Sequence, residues 1–276
     1  MARQCDNSSC DKSSCEGCAS AQKPDFSAEM NKYSDIKHVI GVVSGKGGVG
    51  KSFVTASLAN AFAGMGFKTG ILDGDITGPS IPRMYGLKER AAMSDKGLEP
   101  AVTENGLKVI SINLLLPDEE EPVVWRGPIV ANMVKQFWTE VVWGDLDYLF
   151  VDMPPGTGDV PLTVFQSLPV EGVVIVSSPQ DLVKMIVSKA YKMAQMMDIP
   201  VIGIIENYSY VECPDCGKKI SIFGESHIKE VAESMGLPLL GTIPVRTEYA
   251  DAADEGGFGK ISNPYIDDAA EAVRRF

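Results

Sequence analysis

The sequence predicts an α/β fold, a doubly wound, mostly parallel sheet, and three observations carry that prediction. An apolar run at 39–43 feeds a glycine-rich loop, which feeds a segment apolar at helical spacing, 53–62. Two later strand-like runs, 68–73 and 147–152, each end in an aspartate. Carboxylates at the carboxyl ends of parallel strands face the crevice where such sheets bind ligands. Strand-length and helix-length segments then keep alternating to the C-terminus, the pattern of βα units.

With 276 residues, 45% of them hydrophobic, the chain suffices for one large, well-filled domain. No apolar run reaches membrane-spanning length, and the N-terminus is polar rather than signal-like. A net charge of −12 argues against nucleic acid and against anionic membranes, since both need a basic face. Six cysteines fall in two bunches, Cys5, Cys10, Cys15 and Cys18, then Cys213 and Cys216. A secreted disulfide framework would spread them through a small fold, so the bunching points to metal or redox work in a reducing cytoplasm.

In chain order, residues 1–36 are rich in Ser, Asp, Lys and Cys without apolar periodicity and read as a flexible tail, leaving 37–276 as the folded domain. The tail spacing Cys5-x4-Cys10-x4-Cys15-x2-Cys18 gathers four thiolates, the number that a [4Fe–4S] cluster or a tetrahedral zinc needs. It matches no standard ferredoxin run. Next, Gly45-Lys46-Gly47-Gly48-Val49-Gly50-Lys51-Ser52 has the form G-x-x-x-x-G-K-[ST], between a strand and the helix opened by Phe53. Its glycines let backbone N–H groups turn inward around a phosphate, and the helix N-terminus adds a favourable dipole. Lys51 is expected at the β- and γ-phosphates and Ser52 on Mg²⁺. Nucleotide binding is therefore assigned to residues 45–53.

The run 68–73 leads into Asp73-Gly-Asp75. Asp75 is the candidate for orienting the attacking water, and Asp73 for supporting the Mg²⁺ shell or the loop. Short strand-like pieces at 98–103 and 107–112 flank Asn105-Gly106, a hairpin signal. An acidic, proline-bearing stretch at 117–122 reads as a loop, and Trp125-Arg-Gly-Pro128 opens a helix expected over 129–143. Asp152 fits the Walker B role on Mg²⁺, and Gly156 in the loop after it is placed to offer its N–H to a γ-phosphate. A strand at 172–177, a helix at 181–197 and a strand at 200–206 follow, ending at Asn207, whose amide is positioned to read the adenine edge.

Cys213-Pro-Asp-Cys216-Gly217 looks like half of a zinc ribbon. Two thiolates are too few for zinc or a cubane cluster, so the other pair comes from the N-terminal tail or from the same loop of a second chain. Thioredoxin-like chemistry is the rival, but its motif opens a helix after a strand. A helix at 226–235, a strand at 237–243, a loop at 244–248 beside the base, and a last helix from about 263 complete the chain.

The loop with Lys46 directly after its first glycine resembles the deviant P-loop of the MinD/ParA/nitrogenase-iron-protein class. That resemblance implies that Lys46 acts in trans, reaching a partner's nucleotide as an arginine finger does. Segments 45–52, 73–80, 125–128 and 147–159, with Glu206-Asn-Tyr-Ser209, the Cys-Pro-x-Cys loop and Ile222-Phe-Gly224, together resemble the Mrp/ApbC family of iron–sulfur carrier ATPases. They cover nearly everything from residue 38 onward. The family implies a P-loop NTPase homodimer that binds ATP, with a labile [4Fe–4S] cluster bridged by the two Cys-Pro-x-Cys loops and apo iron–sulfur proteins as clients. It also implies that Lys46, Lys51, Ser52, Asp75 and Asp152 carry the nucleotide chemistry. Phe53 stands where a second Ser or Thr is usual, and the N-terminal cysteines match the family's four-cysteine tail only in part.

The expectation is thus an ATP-dependent [4Fe–4S] carrier whose slow hydrolysis is coupled to loading or transfer. Three alternatives compete. A MinD/ParA-type positioning ATPase that binds membrane or DNA conflicts with the acidic charge. A reductase resembling the nitrogenase iron protein would bridge its cluster with isolated cysteines, and an ATPase with a structural zinc clip would use Cys213 and Cys216 for folding alone.

Overall fold

The computed structural model describes residues 28–76, 78–116, 127–179 and 183–276. Strand β1 (Ser34–Val43) runs into the glycine loop and helix α1 (Lys51–Gly64), then β2 (Thr69–Asp73) and the short α2 (Ile81–Met84). Four short strands follow, β3 (Met93–Ser94), β4 (Gly97–Leu98), β5 (Ala101–Val102) and β6 (Lys108–Ile110). Helix α3 (Gly127–Thr139), β7 (Gly144–Asp152), α4 (Asp159–Ser167), β8 (Gly172–Ser177), α5 (Val183–Met196) and β9 (Val201–Glu206) form the middle of the chain. A two-stranded hairpin, β10 (Val211–Glu212) and β11 (Lys219–Ile220), precedes α6 (Ile228–Ser234), β12 (Leu239–Thr242), α7 (Thr247–Asp254) and α8 (Asp267–Arg275).

The main sheet has the order β12-β9-β8-β1-β7-β2-β6-β5, parallel except for the β5–β6 pair. On one side of β1 lie β8, β9 and β12 in chain order, and on the other lie β7, β2, β6 and β5, so successive connections run to opposite sides next to β1, where sheets of this kind bind ligands. Alternation along β1 divides the core: Val39 and Val43 face the layer that holds Phe137, Trp143 and Val187. Ile40 and Val42 face the opposite layer, against Leu58, Phe62 and Phe150. Helices cover both faces, which is why the central strands read as continuous apolar runs.

Several boundaries differ from the sequence-based reading, each for a physical reason. Strand β1 starts at Ser34, and its exposed first half pairs with β7 from Ser34↔Gly144 onward. Ala28 is bonded on both sides, its N–H to the Ser167 carbonyl (3.0 Å) and its carbonyl to the Trp138 indole (2.9 Å). Residues 28–36 therefore pack with the domain instead of belonging to a tail that ends at residue 36. Helix α3 stops at Thr139, four residues early, because Leu98 bonds both the Glu140 carbonyl (2.9 Å) and the Val142 N–H (2.8 Å). Strand pairing wins over helix there, while Val141 and Trp143 remain fully buried. The piece 98–103 breaks at Pro100 into β4 and β5, which pair with different neighbours. The predicted loop at 244–248 holds the start of α7, and α4 also arises where no helix pattern is visible. Residues 117–122, Trp125, Arg126, Asp181 and the four N-terminal cysteines lie outside the described residues.

Candidate functional site

The glycine loop, the ends of β2 and β7 and the turn after β9 converge at the carboxyl end of the sheet. Gly48 and Gly50 take φ of 78° and 80°, left-handed values open to glycine without strain. At Gly50 a side chain would also collide, since a Cβ there lies 2.1 Å from the Asn207 Nδ2. Lys51 begins α1 and is almost wholly buried; its Nζ sits 2.7 Å from Asp152 Oδ1 and 3.6 Å from Asp75 Oδ2. Ser52 Oγ donates to Asp152 Oδ2 (2.5 Å), and Thr55 Oγ1 donates to Asp152 Oδ1 (3.0 Å). The strand register places Asp73 opposite Asp152. Asp73 is fully buried and accepts from the Ser111 hydroxyl (2.9 Å) and the Asp75 N–H (3.2 Å), so it shapes the loop that presents Asp75.

Burial works against the Lys51 ammonium, yet Asp152 and Asp75 outweigh it and hold its pKa above the ordinary lysine value. Asp73 moves well above the usual carboxylate range, first because it is buried and second because Asp152 is close; Lys51 offsets part of this. Ser52, Asp152 and Asp75 put hard oxygen donors in one place, the donor chemistry that suits Mg²⁺.

The structure thus brings together Lys51, Ser52, Asp75 and Asp152 as the spacing predicts. Three other predicted residues have partners within the protein. Asn207 is buried and donates Nδ2 to the Val49 carbonyl (3.1 Å), so its amide braces the glycine loop at the edge of the cavity over it. The Gly156 N–H is given to the Ser44 carbonyl (3.0 Å). Phe53 packs 5.4 Å from the rings of both Tyr249 and Phe258 and also lines the cavity over the loop. Within the same loop, Lys46 is half-buried and its carbonyl accepts from the Ser44 hydroxyl (2.9 Å). Val49 is buried, and Gly45 packs so closely on α5 that a Cβ would lie 2.4 Å from the Ile186 carbonyl.

A cavity of about 560 Å³ opens over the loop, within the range of small-molecule sites. Gly47, Gly48, Lys51, Ser52 and Asp75 form one side; Arg83, Tyr208, Pro244, Arg246 and Tyr249 form the other. The predicted loop after β12 accounts for Pro244 and Arg246. Tyr208 lies in the Glu206-Asn-Tyr-Ser209 segment, whereas Arg83 and Tyr249 carry no signal in the sequence, because only the fold brings them to this wall.

Cys213 and Cys216 sit in the turn between β10 and β11, both as free thiols, Cys216 exposed and Cys213 less so. The Cys213 N–H donates to the Lys218 carbonyl (3.0 Å) and the Gly217 N–H to the Cys213 carbonyl (2.9 Å), with Gly217 at φ 68° turning the chain. Backbone N–H groups, that of Asp215 first and that of Cys216 next, lower the Cys213 pKa and favour its thiolate. Because the motif lies in a hairpin and opens no helix, thioredoxin-like chemistry does not fit. Among the described residues no group of three or more His, Cys, Asp or Glu side chains is arranged to hold a metal ion. His227 stands apart, paired with Glu230 at 3.4 Å. The hairpin touches the cavity wall: the Val245 N–H donates to the Tyr210 carbonyl (2.8 Å), and Arg246 Nη2 meets Glu212 Oε2 at 3.2 Å. Among the described residues no helix is long and apolar enough to cross a membrane.

A family model described as ParA, NUBPL iron-transfer P-loop NTPase, matches residues 35–275. An iron–sulfur cluster carrier protein of Clostridium perfringens is 47% identical over 256 residues, 90% of this chain and 89% of that protein. One of the same description from Methanocaldococcus jannaschii is 48% identical over 225 residues, 81% of this chain and 78% of that one. Among solved structures, a nucleotide-binding protein of Archaeoglobus fulgidus in complex with ADP has a TM-score of 0.76 at 44% identity, covering 84% of this chain and 91% of that chain. The MinD cell division protein of Aquifex aeolicus shares the fold, with a TM-score of 0.58 at 20% identity over 86% of this chain and 95% of that one. With a family match over nearly its whole folded length and relatives this similar, the chain belongs to the ParA/NUBPL iron-transfer P-loop NTPases.

Proposed function

We propose that this protein is an ATP-dependent carrier that holds a [4Fe–4S] cluster at a homodimer interface and passes it to apo iron–sulfur proteins in a reducing cytoplasm. The observation that carries the reading is one chain joining a P-loop site to an exposed Cys-Pro-x-Cys hairpin through the cavity wall. A [4Fe–4S] cargo takes four thiolates, and two hairpins related by a twofold axis supply them.

On the nucleotide side, Lys51 and the loop N–H groups bind and orient the β- and γ-phosphates. Ser52 and Asp152, which hydrogen-bond each other, would hold Mg²⁺, which when bound neutralises phosphate charge. Asp75 orients the attacking water, and Lys46 serves the partner's nucleotide. The Gly156 N–H leaves Ser44 for the γ-phosphate, so the 153–158 loop reports whether that phosphate is present. Slow hydrolysis then gates loading or release.

Anaerobic reconstitution with iron and sulfide tests the reading. A brown dimer with about four irons per pair of chains is expected. Cys213→Ser with Cys216→Ser should remove the colour, and Lys51→Ala should slow ATP-stimulated transfer to an apo-protein. A colourless product holding zinc through Cys213 and Cys216 would make the hairpin a structural clip and overturn the proposal.

A further inference from the structure

The Cys-Pro-x-Cys hairpin belongs to an excursion that leaves the sheet after β9 and returns at α6, and one carboxylate holds both of its ends. Glu206, the last residue of β9, is fully buried. Its Oε2 accepts from the Ser209 hydroxyl (2.6 Å), at the start of the excursion, and its Oε1 accepts from the Ser226 hydroxyl, at the end. Ser226 Oγ also accepts the N–H of Ile228, the first residue of α6 (3.2 Å). A carboxylate shut away from water depends on such donors, so opening either end of the excursion leaves Glu206 short of one.

The two residues that follow border the glycine loop and the cavity over it. Asn207 reaches the Val49 carbonyl of the glycine loop (3.1 Å), and Tyr208 borders the cavity. Tyr208 is held at φ 59°, a left-handed conformation that a tyrosine keeps only when its surroundings fix it. Three consecutive residues therefore bind, in order, the roots of the thiol-bearing excursion, the phosphate loop and the cavity edge.

We infer that Glu206 is a positioning residue that couples the nucleotide loop to the thiol-bearing excursion, so that nucleotide binding changes the order of residues 210–225. It touches neither nucleotide nor thiol and acts through Ser209, Ser226 and the adjoining Asn207. The inference rests on the nucleotide-binding half of the proposed function and needs no cluster, so metal-free protein tests it even where reconstitution fails.

The experiment is hydrogen exchange on the full, metal-free chain, without nucleotide and with ADP or a non-hydrolysable ATP analogue plus Mg²⁺. In the parent protein, nucleotide should change exchange across 210–225 by about threefold or more. Combining Ser209→Ala with Ser226→Ala should bring that ratio close to one, with nucleotide affinity within about twofold of the parent by calorimetry. Glu206→Gln should keep most of the response, because each serine hydroxyl can both donate and accept. Glu206→Ala should lose it, and the serine pair carries the same test if that variant does not fold. A clasp that merely braces the excursion would speed exchange equally in all states and leave the ratio intact. That result, or a parent protein whose excursion ignores nucleotide, overturns the inference.

Discussion

Three carboxylates, Asp73, Asp75 and Asp152, crowd one ammonium, Lys51, at the end of the sheet where phosphates bind. Removing the ammonium leaves that charge uncompensated and takes away the main cation for the substrate. Lys51→Met is expected to cut ATP hydrolysis about 100-fold or more, measured by phosphate release. Asp73 makes a pH prediction. Its folded-state pKa lies well above the ordinary 3.8, so the folded chain binds this proton more tightly than the unfolded chain. Stability from that proton is complete below the unfolded value and is lost as pH rises through the folded one. Asp73→Asn cannot titrate, so its melting temperature relative to the parent should climb from about pH 4 upward in nucleotide-free thermal scans. Lys51, Ser52 and Asp152 were legible because a P-loop and a strand-end acid each have a linear signature. The role of Asn207 was not, since nothing local announces that its amide will meet a carbonyl at Val49.

Elements buried on both faces were the readable ones. The second half of β1, with β2, β7, β8 and β9, shows unbroken apolar runs because helices cover either side. The first half of β1 hides in polar residues, and backbone pairing with β7 holds it. Helix α4 is masked by Pro161, which its first turn tolerates and a sequence pattern takes as a break. The glycine loop offers a test at this scale. Gly50→Ala meets both a positive φ and a contact at 2.1 Å, so it should destabilise the chain by about 1–3 kcal/mol in denaturant titrations. It should also push Asn207 off the loop and weaken nucleotide binding.

At the scale of the whole molecule, the cavity joins parts distant in sequence, the glycine loop, α2, the turn after β9 and α7. A ligand there ties them together. Mg²⁺–ATP at a hundredfold excess over its Kd should stabilise the chain by about 2.7 kcal/mol, read as a rise in melting temperature that Lys51→Met largely abolishes. The fold and the family were recognisable from the ordered set of motifs, whereas Arg83 and Tyr249 of the far wall became visible only once α2 and α7 were placed beside the loop.

The hairpin carries a pair of sulfurs where a cubane needs twice that number. Cargo shared between two identical chains makes its retention second order in protein. Dilution alone should then bleach the loaded carrier, and concentrating it should restore capacity, whereas a complete ligand set within one chain would be indifferent to volume. Absorbance followed through a dilution series distinguishes the two, and on the shared arrangement the local abundance of the carrier sets how long each cluster stays aboard.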